Sequence, residues 1–168
     1  KSIEKFFYFI AIIEGTTIAA IELLGQRIIA SYYGDTLNVW SCVLAITLLS
    51  LAAGYFLGGK ISQNPNVNLK KKIAKNILVS LVFFSFVPVS IYIFYPVFSH
   101  LPFLAGCILL CLLIYFPTLV FLSSVVPCTI KYFTPLVNSS GKITGKIYSI
   151  SSISSIVVFL LLGFFLIP

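Results

Sequence analysis

Three ionisable residues stand where an apolar run offers them no obvious water: Glu14, Glu22 and Arg27, all within residues 6–33. An ionisable group at the centre of a bilayer costs roughly 2.5 to 3.5 kcal/mol even on the mildest scale, so something must offset each of them. Counting about 1.5 Å per residue from Phe6 places Glu14 near a bilayer's middle and Glu22 close to its outer boundary. Arg27 then reaches the outer interface and can snorkel to water. Glu22 and Arg27 are five positions apart, about 140° around a helix, and so address different partners rather than pairing on one face. Glu14 and Glu22, about 80° apart around the helix, could line one side of a polar crevice with Thr17 between them. Two chemistries fit this arrangement. In one, Glu14 and Glu22 hold a cation or a proton, as carboxylates in spans commonly do. In the other, Glu22 ties the outer end of the helix to a neighbour, and Glu14 is a neutral residue bonded to Ser, Thr or Tyr groups of adjacent helices.

Beyond these residues the chain offers little that could carry a reaction. Its single histidine, His100, stands in a short polar connection without a nucleophile and acid around it. No glycine-rich loop follows a strand, and no residues have metal-ligand spacing. Cys42, Cys107, Cys111 and Cys128 all fall inside apolar runs and read as small packing residues. The expectation is a protein that is not an enzyme and needs no metal or other cofactor.

The elements that must position these groups follow from composition. Of 168 residues, 60% are apolar and 9% charged, against roughly 25% charged in ordinary soluble domains. With a mean hydropathy of +1.11, the chain reads as an all-α integral membrane protein. A span takes roughly 20 apolar residues, and segments of that kind lie at about 6–33, 38–59, 76–98, 101–130 and 144–167. They make a single transmembrane domain, 1–168, of five helices. Glu14 interrupts the apolar centre of the first, and the run continues past any cleavage site, so this segment is an uncleaved span rather than a signal peptide.

The net charge of +7 does not point to nucleic acid, because the basic residues gather in short connections. Residues 60–75 carry five lysines and 131–146 three, whereas 34–37 and 98–102 carry none. The positive-inside rule then sets both lysine-rich connections and the N-terminus in the cytoplasm, giving an N-in, C-out bundle in the inner membrane. Anionic lipid headgroups are the natural partners of those lysines. Tyr32, Tyr33, Trp40, Tyr92 and Tyr95 fall at the opposite boundary, where amphipathic rings prefer to sit. The Asn138-Ser139-Ser140 glycosylation pattern is set aside because its loop reads as cytoplasmic.

Within the spans, Pro88 and Pro117 each remove one backbone hydrogen bond and are expected to kink their helices; Thr118, Ser123, Ser124 and Thr129 are candidate partners for loosened carbonyls. Ser50, Gly54 and Gly58 recur every four residues on the second segment, and Ser151 and Ser155 do so on the last, with Ser152 beside them. Small residues so spaced let two backbones approach closely. These faces mark either the tightly packed interior or a surface for another subunit.

Four stretches resemble the membrane region of the spermidine synthase-like proteins: EGTTIAAIELLGQRI, LAAGYFLGGKIS, PTLVFLSSVVPCTIKYF and GKITGKIYSISSISSIVVFLLLGFFLIP. In the last, Gly141, Gly145, Tyr148, Gly163 and Pro168 all match; in the first, the match includes Glu22 and Arg27 at their separation. The resemblance implies helices like part of a major facilitator-type half, Glu22 and Arg27 as a structural hallmark, and Gly163 as a helix-packing residue. Members of that family usually continue into a further helix and a cytoplasmic aminopropyltransferase-like domain, of which these residues hold nothing. Glu14 stands where the family usually has a small residue, and Ser123 near a usual glycine. The expectation is an ordered portion of a longer protein or a free-standing module. Three functions fit: a non-enzymatic subunit or anchor that binds other membrane subunits or a second copy of itself, a half-transporter for a cation such as a polyamine, or a membrane partner of a separate aminopropyltransferase-like enzyme.

Overall fold

A computed structural model describes residues 2–134 and 140–166; Asn138, Ser139 and Pro168 lie outside the described residues. These are helical and contain no strand. In chain order the helices are α1 (Ser2–Tyr33), α2 (Leu37–Ser62), α3 (Leu69–Ser85), α4 (Val87–Phe98), α5 (Phe103–Ser123), α6 (Val125–Phe133) and α7 (Ser140–Leu161), the last running into a π-helical turn, Leu162–Leu166. Four stretches are long and apolar enough to cross a membrane: Tyr8–Tyr33, Leu37–Ser62, Phe103–Phe133 and Gly141–Phe165. The pair α3 and α4 makes a fifth if it crosses as one span, bent by 51°.

Local chemistry sets the boundaries. Gly34 ends α1 in the left-handed region (φ +84°), its N–H donating to the Ala30 carbonyl at 2.8 Å, a closure that a residue with a Cβ makes at a cost. Two residues on, the Thr36 side chain accepts from the Val39 N–H and starts α2. Asn68 does the same for α3 by accepting from the Lys71 N–H at 3.3 Å. The lysine-rich connection expected at 60–75 is therefore short: Lys70, Lys71, Lys72 and Lys75 are on α3.

Prolines account for the interruptions, though not in the places expected for both. Pro88 sits in the first turn of α4; it has no N–H, and its ring opposes the carbonyl four residues back, so the helix breaks at Phe86. Pro117 instead lies inside α5, which continues to Ser123. The break in that span falls at Ser124, three residues before Pro127, by the same mechanism. The nearby hydroxyls donate to carbonyls about one turn back: Thr118 to Ile114, Ser123 to Val120, Ser124 to Phe121 and Thr129 to Val125.

Packing centres on α5, which meets α1, α2, α3, α4 and α6, most extensively α2. Its Cys107, Leu110, Cys111, Ile114 and Leu119 join Ile29 of α1 and Val39, Val43 and Ile46 of α2 in the main core. Smaller clusters, Ile10 with Ile73, Val125 and Cys128, and Ala11 with Val126 and Ile147, lie toward the lysine-bearing end. All four cysteines are free and buried. The α2 stripe is spent on this interior: Ser50 is fully buried, and a Cβ on Gly54 or Gly58 would overlap Ser123 or Ser124. By contrast α7 packs mainly on α1, with 6% of its most apolar stretch buried against 50% for the α5–α6 span.

Candidate functional site

Glu14 is 2% exposed, held at a close contact between α1 and α7. That approach depends on Gly15, whose position would put a Cβ into the Ser151 backbone. Across the contact the Ser151 hydroxyl donates to Glu14 Oε2 at 2.8 Å, and the Ser155 hydroxyl donates to the Gly15 carbonyl at 2.9 Å. The serines expected as a packing face on the last span thus act as donors to α1. Glu14 Oε1 is buried with no hydrogen-bond partner among the described residues. Tyr55 of α2 and Tyr148 of α7 meet edge-to-face, their ring centroids 6.1 Å apart. A carboxyl with one oxygen bonded and the other bare can accept one further donor.

Glu22 is elsewhere. It lines a cavity with Leu23, Gln26, Arg27, Trp40, Phe159 and Gly163. Thr17, expected between the two glutamates, faces a separate apolar groove with Ala20, Gly25, Phe84, Pro88 and Tyr115. Glu14 lines neither of these two spaces. Conversely, Glu22 and Arg27, whose spacing suggested separate partners, border one space. Gln26 is fixed there by donating from Nε2 to Asp35 Oδ1 at 2.9 Å.

Gly163, expected as a helix-packing residue, has no described atom within 4 Å of where its Cβ would be, and it borders the same cavity. Several buried polar ties were not singled out from the sequence. Asn76 Nδ2 donates to Ser124 Oγ at 2.6 Å, Ser80 donates to the Thr118 carbonyl at 2.9 Å, and Tyr115 donates to the Gly25 carbonyl at 3.1 Å. An amide inside an apolar segment was the available signal for Asn76. Around the aromatic end, Tyr95 meets Tyr32 in a tilted contact at 4.6 Å and Tyr33 edge-on at 5.7 Å. Among the described residues no group of His, Cys, Asp and Glu is arranged to hold a metal ion.

The four stretches that carry the resemblance meet one another in space: α1 lies on α7, and the end of α2 lies on the α5–α6 junction. No family model, curated protein or solved structure matches the chain.

Proposed function

We propose that this chain is a multi-pass, non-enzymatic subunit of a membrane complex, which docks a transmembrane helix of another chain along α7. The observation that carries this reading is the one-sided attachment of α7. Ser151 and Ser155 hold α1, while Gly141, Gly145, Ser149 and Ser152 are exposed, and neither glycine has an atom within 4 Å of a Cβ position. In hydrocarbon, helices associate through close backbone contact at small residues and not through a hydrophobic drive, so an open small-residue face on a span suits a partner helix better than lipid. The comparable face on α2 is already filled by α5.

A photoreactive side chain at Ser149 or Ser152, activated in native membranes, should yield a discrete protein adduct, and one at Phe56, exposed on α2, should not. Lipid adducts alone at all three positions would remove the reading. The accompanying topology has five spans with the N-terminus and lysine ends in the cytoplasm of an inner-membrane bundle. It is supported by Lys60, Lys70, Lys71, Lys72, Lys75, Lys131, Lys142 and Lys146 clustering at one end of the helices. A cysteine at Asn66 should react with an impermeant maleimide only after permeabilisation; labelling in intact cells would overturn that orientation.

A second reading, a half-transporter for a cation such as a polyamine, has one observation in its favour, the bare Oε1 of Glu14. Flux in proteoliposomes that vanished in a folded Glu14→Gln variant would favour it over the subunit reading.

A further inference from the structure

Glu22 and Arg27 stand about 140° apart around α1, yet both border one cavity of about 360 Å³. Leu23 and Gln26 fill the arc between them, Trp40 of α2 forms the rim, and Phe159 of α7 with Gly163 of the π-helical turn closes the far side. The bare Cα of Gly163 keeps that side open. Among the described residues neither the Glu22 carboxyl nor the Arg27 guanidinium makes a hydrogen bond or an ion pair. Opposite charges at two ends of one small space, each without a partner, are complementary to a molecule that carries both signs. Gln26 adds an acceptor, since its amide nitrogen is already engaged by Asp35 and its Oε1 is not. Trp40, half exposed, offers an indole face, the best aromatic surface for an ammonium group.

Depth narrows the ligand. Along α2, the rise from Lys60 to Trp40 is about 30 Å, the thickness of a bilayer's hydrocarbon core. Trp40 therefore marks the headgroup boundary at the end opposite the lysines. Five residues of helical rise put Glu22 about 7.5 Å deeper along α1 than Arg27, so Glu22 belongs to the base of the cavity and Arg27 to its mouth. We infer that this cavity binds a small zwitterion of the phosphoethanolamine type. Its ammonium sits on Glu22 and Gln26 Oε1, and its phosphate takes the bidentate fork of Arg27. Such a unit reaches the site either as a lipid headgroup or as a free solute.

The test uses the whole chain in non-ionic detergent and its own reporter, because Trp40 is the only tryptophan. Four probes are titrated against Trp40 emission: phosphoethanolamine, a short-chain phosphatidylethanolamine, the matching phosphatidylglycerol and ethanolamine. The two probes carrying both charges should saturate, and the two single-function probes should bind about tenfold more weakly or worse, since each lacks one charge-assisted contact. A lower midpoint for the lipid than for the free zwitterion identifies a headgroup as the ligand; equal midpoints identify the solute. Glu22→Gln and Arg27→Gln should each weaken the zwitterion about tenfold, with helicity by circular dichroism unchanged because neither side chain bonds to the fold. Equal responses to all four probes, or wild-type midpoints in both variants, would overturn the inference.

Discussion

A single carboxyl concentrates the chemistry of the α1–α7 contact. Glu14 Oε2 accepts from Ser151 while Oε1 accepts from nothing among the described residues, so Ser151 is its one hydrogen-bonding support. Removing that hydroxyl leaves a buried acceptor unsatisfied, which costs about 1 to 3 kcal/mol. Ser151→Ala is therefore expected to lower thermal stability in detergent by an amount in that range. Glu14→Gln preserves an acceptor for Ser151 and is expected to cost less. If Ser151→Ala melted with the wild type, the bond would be shown not to support the fold. The sequence made Glu14 conspicuous, since a carboxyl amid apolar residues is visible from composition alone. It gave no sign that Ser151, 137 positions away, would answer it. Nor could it reveal that Glu22 and Arg27 border one cavity, because helical spacing describes one helix and the cavity is completed by Trp40 and Phe159 from two others.

Hydropathy is a local property, and the spans were legible for that reason: each expected apolar segment maps onto α1, α2, the α3–α4 pair, the α5–α6 pair or α7. Where the helices break was only partly legible. Pro88 breaks its span while Pro117 is absorbed, and nothing in either proline's neighbours distinguishes them. Which helix packs on which was illegible, because a helix apolar on every side looks alike whether it faces lipid or protein. Glycine spacing on α2 was the exception, and it yields a sharp contrast between neighbours. A Cβ at Gly58 meets Ser124 backbone, whereas one at Gly59 meets open space. Gly58→Ala is expected to destabilise the α2–α5 interface by about 1 to 3 kcal/mol through overpacking. Gly59→Ala should be neutral or stabilising by up to about 1 kcal/mol, since it removes only backbone freedom. Parallel thermal melts decide this, and similar losses for both would mean that close approach is not what the α2 stripe provides.

At the scale of the molecule, the bundle divides into a dense body and an appended helix. The body is α5 with α2, α3, α4 and α6 around it, secured by Asn76, Ser80 and the Gly54–Gly58 contact. The helix α7 is held chiefly through α1, at a point where Gly15 admits the Ser151 backbone. A bulky residue at Gly15 should therefore separate α7 without loosening the body, because the two sets of contacts share few residues and distant perturbations add independently. Ala11 of α1 and Ile147 of α7 are buried in one cluster with Val126 of α6, so cysteines at positions 11 and 147 should cross-link in the parent chain. Adding Gly15→Leu should abolish that cross-link while the buried native Cys107 and Cys111 of α5 stay protected from maleimide. Exposure of those cysteines together with loss of the cross-link would mean that α7 is integral to the core, and the open face on which the subunit reading depends would then belong to a helix that cannot adjust to a partner.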